Sequence, residues 1–196
     1  MAKNMAQKKL VKVNLGCGTN FIPGFINVDR FIKDVPKEVN YVDADIKDLP
    51  FEKDSVDYII CDNVLEHLPQ ADVPVALHEI RRVLKKGGKA VLIVPDFNGI
   101  AQMWLTYGTQ NHFDFETHQY FSELIYGNQF HEGEYHKTPF YPAMFSSILH
   151  MVGLHNFELI GCPKGIPISG LKEFDGVRWE GTSILRNDQL ISKITK

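Results

Sequence analysis

The sequence predicts an α/β fold, a mostly parallel sheet flanked by helices, carrying a helical, aromatic-rich insertion. Three observations lead there. Short apolar, β-branched runs recur along the first half of the chain, and a helical stripe lies between two of them. The runs are continuously apolar, as strands buried on both faces are. From Phe97 to His150 the pattern breaks: this segment holds 13 of the 22 aromatic residues and five of the eight histidines.

The elements follow in order. Val11 to Leu15 reads as a first strand, Phe25 to Val28 as a second and Tyr41 to Val42 as a short third. Ser55 to Cys61, "SVDYIIC", reads as a buried fourth, and Lys89 to Val94, "KAVLIV", as a fifth. A helix fits between those two. Asp72 can cap it, Pro74 suits its first turn, and Ala76, Leu77, Ile80, Val83 and Leu84 form one apolar stripe. Lys85 and Lys86 then fall in its last turn, with Gly87-Gly88 as the stop. A later helix is expected over Pro142 to Val152, ending at Gly153, with closing strands at Asn156 to Ile160 and Thr182 to Arg186.

Size and charge narrow the function. A chain of 196 residues, 44% hydrophobic, suits one domain, 1–196, with residues 97–150 as a cap within it. A net charge of −3 opposes a dominant nucleic-acid footprint, and no DNA partner is expected. Cys17, Cys61 and Cys162 form no CxxC pair, which fits a reducing, cytoplasmic setting. The polar start "MAKNMAQKKL" lacks a signal-peptide core, and runs such as "AVLIV" are too short to span a membrane. Composition indicates no oligomeric state.

The chemistry concentrates at strand ends. In "VNLGCGTNFIPGFINVDR", Gly16 and Gly18 follow the first strand, where missing side chains admit a ligand to the backbone. A dinucleotide fingerprint needs a third glycine where Phe21 stands, and an acidic residue further on than Asp29. A nicotinamide cofactor is therefore not expected. Asp29 ends the second strand, where a carboxylate can accept from both hydroxyls of a ribose. Asp45 follows the third strand and can accept from an adenine amino group. Asp62 and Asn63 end the fourth and face the same crevice.

Taken together, "NLGCG…NVD…DADIKDLPF…SVDYIICDNVLEHL…EIRRVLKKGGKAVLIVPD" resembles the class I S-adenosylmethionine-dependent methyltransferases, and most of all a bacterial and phage-type branch with a shortened first crossover. The resemblance covers about Val11 to Asp96. It implies a Rossmann-like, doubly wound, seven-stranded and mostly parallel sheet with a C-terminal antiparallel strand. It also implies S-adenosyl-L-methionine as cofactor. By resemblance, Gly16, Cys17 and Gly18 line its methionine and ribose part, Asp29 takes the ribose hydroxyls and Arg30 flanks the adenine. Asp45 and Ile46 hold the adenine edge and face, and Asp62, with Asn63 after it, begins the loop beside the sulfonium end. Asn14 stands where the family often has an acidic residue, and Asn20 where it has a third glycine. Only ten residues separate Gly18 from Asp29, so the first crossover is expected as a loop or single turn rather than a helix.

Methyl transfer needs alignment in a dry site, and a base where the acceptor's pKa is high. His67, in "VLEHL", and His112, His118, His131 and His136 of the insertion are the candidates; His67, His131 and His136 are carried forward, with His136, in "GEYHK", favoured as general base or acceptor-orienting group. The acceptor class expected beneath an aromatic cap is a small molecule, sugar or glycan, methylated at O or N. "DNVL" after the fourth strand differs from the proline-rich tetrapeptide of amino-methylating DNA enzymes. The histidine and glutamate spacing matches no mechanistic metal motif, and no metal is expected. The alternatives are a catalytically inactive cofactor-binding protein, and a metal-dependent hydrolase using His131 and His136.

Overall fold

A computed structural model describes residues 9–105, 115–161, 173–174, 177–178 and 189–196. Strands β1 (Lys12–Leu15), β2 (Ile26–Asp29), β3 (Tyr41–Asp43), β4 (Val56–Asp62), β5 (Leu84–Pro95), β6 (Phe157–Gly161) and β9 (Gln189–Thr195) form one seven-stranded sheet in the order β3-β2-β1-β4-β5-β9-β6. The first five are parallel, and β9 runs antiparallel between β5 and β6. The short strands β7 (Glu173–Phe174) and β8 (Val177–Arg178) pair with each other. This is the Rossmann-like sheet expected from the sequence. Order reverses between β1 and β4, so a crevice opens at their carboxyl ends.

Both sheet faces are covered. On one, helix α1 (Val73–Val83) and helix α4 (Pro142–Met151) press Val73, Ala76, Leu77, Ile80, Phe145 and Leu149 onto the apolar face of the strands. On the other, Ile22 and Phe25 pack with Tyr58, Ile60, Val91, Ile93 and Ile191. Between Gly18 and β2 there is no helix, only turns. Two buried amides hold that short crossover. Asn14 Nδ2 donates to the Asn20 carbonyl and to Asn27 Oδ1, both at 3.0 Å, and Asn27 Oδ1 also accepts the Ile22 N–H at 2.8 Å.

Three expectations need correction. Helix α1 ends at Val83, because Leu84 is already extended and pairs with Val56 of β4. Lys85 and Lys86 therefore belong to β5, and Gly87-Gly88 is an irregularity in that strand rather than a helix stop. Lys85 Nζ reaches Asp57 Oδ2 of β4 at 2.5 Å, which a helical Lys85 could not do from the last turn of α1. Asp72 makes no capping bond, since its carboxylate is taken by Lys47 Nζ at 2.7 Å. The strand expected at Thr182 to Arg186 lies outside the described residues, as does Cys162; the last strand of the sheet is β9.

The chain leaves the sheet after β5 and returns beside its exit: the Phe97 N–H donates to the Phe140 carbonyl at 2.7 Å, and Asp96 bridges to Phe140. Between them, helix α2 (Phe97–Met103) and helix α3 (Phe115–Tyr126) join through Ile100, Phe121 and Leu124, with Met103 packed alongside. Phe140, Phe145 and Leu149, in contrast, belong to the sheet's own core.

Candidate functional site

The crevice holds a cavity of about 440 Å³, in the range of small-molecule sites. Its floor is apolar, from Leu15, Val28, Ala44, Ile46, Leu68 and Pro69. Gly16, Gly18, Asp29, Arg30, Asp45, Ile46 and Asn63, all expected here, line it. Cys17 and Asp62 do not. The Cys17 side chain is buried, and burial pushes its thiol up to about 12, so it is an inert core group. Asp62 Oδ1 instead accepts from Asn63 Nδ2 at 2.8 Å.

Gly16 and Gly18 both have positive φ, +63° and +50°, but for different reasons. A Cβ on Gly16 would stand 2.2 Å from Val64 Cγ2, so this glycine lets the loop after β4 close onto β1. A Cβ on Gly18 would meet no heavy atom within 4 Å, so its bare backbone faces open cavity. The Gly18 N–H donates to Asp29 Oδ2 at 2.9 Å and the Phe31 N–H to Asp29 Oδ1 at 2.8 Å. Each carboxylate oxygen keeps a lone pair for a ligand hydroxyl. Asp45 is more committed than its expected adenine contact requires: Oδ2 accepts from Arg30 Nη1 at 2.6 Å and Oδ1 from the Lys47 N–H at 2.9 Å. Asn63 has φ +52°, turning the chain sharply after β4, and Gln189 Nε2 donates to its Oδ1 at 3.3 Å.

A second cavity of about 220 Å³ adjoins the first. Pro95, Phe97, Ile100, Leu124, Ile125, Tyr126 and Phe140 give it apolar walls, and Glu66 and His136 are its ionisable groups together with Lys137, which lines both cavities. Backbone hydrogen bonds hold this boundary. The Lys137 and Thr138 N–H groups donate to the Glu66 carbonyl at 2.7 and 3.1 Å, and Thr138 Oγ1 donates to the Leu68 carbonyl at 2.7 Å. The short 3₁₀ turn Leu65–His67 is thereby fastened to residues 136–138.

His112 lies outside the described residues, and the three histidines carried forward separate. His131 lines the first cavity, half exposed, with Nε2 3.3 Å from Glu134 Oε1 and its ring 6.0 Å from that of Phe31. His67 and His136 meet edge to face, ring centroids 4.9 Å apart. His67 Nδ1 donates to the Tyr135 carbonyl at 3.2 Å, and His136 Nδ1 to the Leu124 carbonyl at 3.1 Å. Burial lowers the pKa of both rings, against the opposing carbonyls of Tyr135 and Asn63 at His67. At His136, burial and the neighbouring His67 bring it to about 4. Both shifts favour the uncharged ring. His131 and His136, which a hydrolase would need together, are not part of one ligating group among the described residues; the group that forms is Glu66, His67 and His136.

Sequence reasoning singled out His67 in "VLEHL" and gave no role to Glu66 beside it. Its side chain is 1% exposed, both carboxylate oxygens lack a hydrogen-bond partner among the described residues, and burial drives its pKa well above the usual range. Nothing local signals this. The environment is made by a segment 70 positions away.

Residues 16–92 match the family model described as a methyltransferase domain. No curated protein sequence matches the chain. Among solved structures, it is similar to an S-adenosylmethionine-dependent methyltransferase from Archaeoglobus fulgidus (15% identity, 96% of this chain and 87% of that one, TM-score 0.57). It is also similar to a complex of a methyltransferase activator and a methyltransferase from Haloferax volcanii (17%, 97% and 83%, 0.58). A third is phosphoethanolamine N-methyltransferase 2 of Haemonchus contortus bound to S-adenosyl-L-methionine (14%, 98% and 50%, 0.54).

Proposed function

We propose that the chain carries a class I, S-adenosylmethionine-dependent methyltransferase domain, as the match of residues 16–92 to a methyltransferase-domain model supports, and that it methylates a small-molecule, sugar or glycan-type acceptor, at oxygen or nitrogen, held in the second cavity. The observation that carries this reading is the pairing of cavities, one larger and rimmed by carboxylates, one smaller and apolar, with His67 and His136 at their boundary.

The residues present fit the cofactor. Gly18 offers open backbone, Asp29 has lone pairs for the ribose hydroxyls, Ile46 gives an apolar face for adenine, and Arg30 with Asp45 closes its edge. When bound, S-adenosylmethionine supplies a methyl group on positive sulfur. The chain's own residues bind it, exclude water and align the acceptor. Of the segment expected as a cap, Phe97, Ile100, Leu124 and Tyr126 shape the acceptor's surroundings and His131 and Glu132 close over the cofactor, while Phe145 and Leu149 serve the sheet's core instead. His136, uncharged and with its Nδ1 proton committed to Leu124, presents Nε2 to orient the acceptor or take its proton. His67 supports it, and His131 belongs to the cofactor side.

No described helix is long and apolar enough to cross a membrane, and the free thiols Cys17 and Cys61 agree with a cytoplasmic setting. The experiment is methyl transfer from labelled S-adenosylmethionine across amine, hydroxyl and sugar acceptors, with calorimetry of S-adenosylhomocysteine alongside. His136→Gln should lower turnover by about 10²–10⁴-fold and leave cofactor affinity within about threefold. Cofactor binding without turnover of any acceptor would favour the inactive, cofactor-sensing alternative.

A further inference from the structure

Glu66 poses a question that methyl transfer leaves open. A carboxyl group that is 1% exposed with no hydrogen-bond partner among the described residues is rare, and it calls for a ligand or ion that the side chain serves. Its surroundings indicate which. One oxygen of Glu66 and one ring nitrogen each of His67 and His136 lie within 4.8 Å of one another. Ligands held about 2.0–2.2 Å from a single tetrahedral ion stand roughly 3.3 Å apart, so modest side-chain rotation closes the set.

Two further observations agree. Each imidazole gives its Nδ1 proton to a backbone carbonyl, His67 to Tyr135 and His136 to Leu124, which leaves Nε2 as the nitrogen available to ligate. Carbonyl anchoring of this kind orients metal-ligating histidines and fixes their tautomer. The two ligand-bearing segments are also joined by main-chain bonds, from Lys137 and Thr138 to the Glu66 carbonyl, so the set is preorganised by backbone.

We propose that Glu66, His67 and His136 bind one divalent first-row transition-metal ion at the wall between the two cavities. Two imidazoles and one carboxylate are borderline ligands, suited to Zn²⁺, Fe²⁺ or Co²⁺ rather than to Mg²⁺ or Ca²⁺. Three protein ligands leave a fourth position open, the pattern of a site that takes substrate rather than a closed structural one, and the ligands themselves line the cavities, His67 the first and Glu66 and His136 the second. The ion's part in turnover, orienting the acceptor's donor atom, rests on the acceptor reading above and has His136 Nε2 as a ligand in place of a proton acceptor; its binding does not rest on that reading.

The test uses the full chain, chelator-treated and titrated with Co²⁺ and then Zn²⁺. The expected result is one ion per chain, visible Co²⁺ absorption bands that Zn²⁺ displaces, and a loss of affinity of about 10–100-fold in both Glu66→Gln and His136→Gln. Thermal melts of each variant show whether it is folded, and the wild-type titration stands without them: no stoichiometric binding by wild type overturns the site. Binding that survives both substitutions but disappears in His150→Gln also overturns it, since His150 and His155 form an exposed pair with Nδ1 atoms 3.1 Å apart. S-adenosylhomocysteine affinity is measured on the same samples. Cofactor binding and methyl transfer by a chain that takes up no metal refute the ion and leave the methyltransferase reading intact. Metal binding with no acceptor turnover does the reverse.

Discussion

Gly18→Ala isolates the contact between backbone and cofactor. A Cβ there meets no heavy atom within 4 Å, so the folded protein has nothing to clash with. The cost to stability is that of a left-handed Ala at φ +50°, about 1–2 kcal/mol, offset by about 0.4–1 kcal/mol from a stiffer unfolded chain. The net loss should be about 1 kcal/mol. The new methyl group occupies space in the 440 Å³ cavity, against the loop whose N–H is held by Asp29. A cofactor pressed onto that backbone must shift or lose contacts, so affinity should fall by at least about tenfold, or roughly 1.4 kcal/mol. Gly24→Ala is the control. Its φ is +78°, the nearest heavy atom to its Cβ is the flexible end of Lys12 at 3.8 Å, and it does not line the cavity. Urea denaturation should show similar stability losses in the two variants, while calorimetry with S-adenosylhomocysteine should show an affinity loss in Gly18→Ala alone. Equal affinities, within about threefold, would refute the placement of the cofactor over Gly18.

Three further outcomes are expected. Asp29→Ala should weaken S-adenosylhomocysteine binding by about 2–3 kcal/mol, or roughly 30–150-fold, and Asp29→Asn by less because one acceptor oxygen survives; unchanged affinity in a folded Asp29→Ala protein would sink the ribose assignment. Gly16→Ala should destabilise by about 2–5 kcal/mol through overpacking and φ, and Val64→Ala in that background should recover part of it in urea melts, with no recovery ruling out Val64 as the obstacle. Glu79 binds Arg82 Nε and Nη2, both at 2.7 Å, and accepts the Leu49 N–H at 3.0 Å; the Arg82 hydrogen bonds hold its carboxyl below the usual range. A depressed carboxyl stabilises the fold above its unfolded pKa and loses that contribution as pH falls through the folded value. Glu79→Gln should therefore cost about 1–2 kcal/mol at pH 7, and the difference from wild type should shrink as pH falls through the folded value; a pH-independent difference would contradict the ion-pair account.

The parallel half of the sheet was legible because its strands are buried on both faces and so read as unbroken apolar runs, as Ile59, Ile60 and Cys61 do. The cofactor loop was legible because its parts are local: Gly18 and Asp29 fall within one stretch and meet across one turn of chain. Misreadings arose where one local signal serves two structures. Gly87-Gly88 after an amphipathic helix looks like a helix stop, yet the partner that decides its conformation, Lys196, pairs with both glycines from the far end of the chain. In β9, "QLISKIT", Ser192 and Lys193 interrupt the apolar run, and what makes it a strand is its place between two others. Glu66 and His136 come together only through the return of the chain to β5, which no spacing rule encodes. The Asn14–Asn27 pair was likewise invisible as a device, since two amides replacing a crossover helix leave no periodic trace.

The position of β9 bears on how the chain is made. It lies between β5 and β6, and its Leu190, Ile191 and Ile194 are buried among their side chains. During synthesis β5 emerges early and β6 later, yet neither can pair with the other directly. Both must wait with open edges until residues 189–195 follow and insert between them. An unpaired strand edge is a template for the wrong partner, and long-range pairing of this kind is slow. The strand that arrives last thus fills an inner position, next to the edge strand β6, rather than a rim. Between translation of β6 and arrival of β9, the facing edges of β5 and β6 are the pairing template that a nascent chain leaves open.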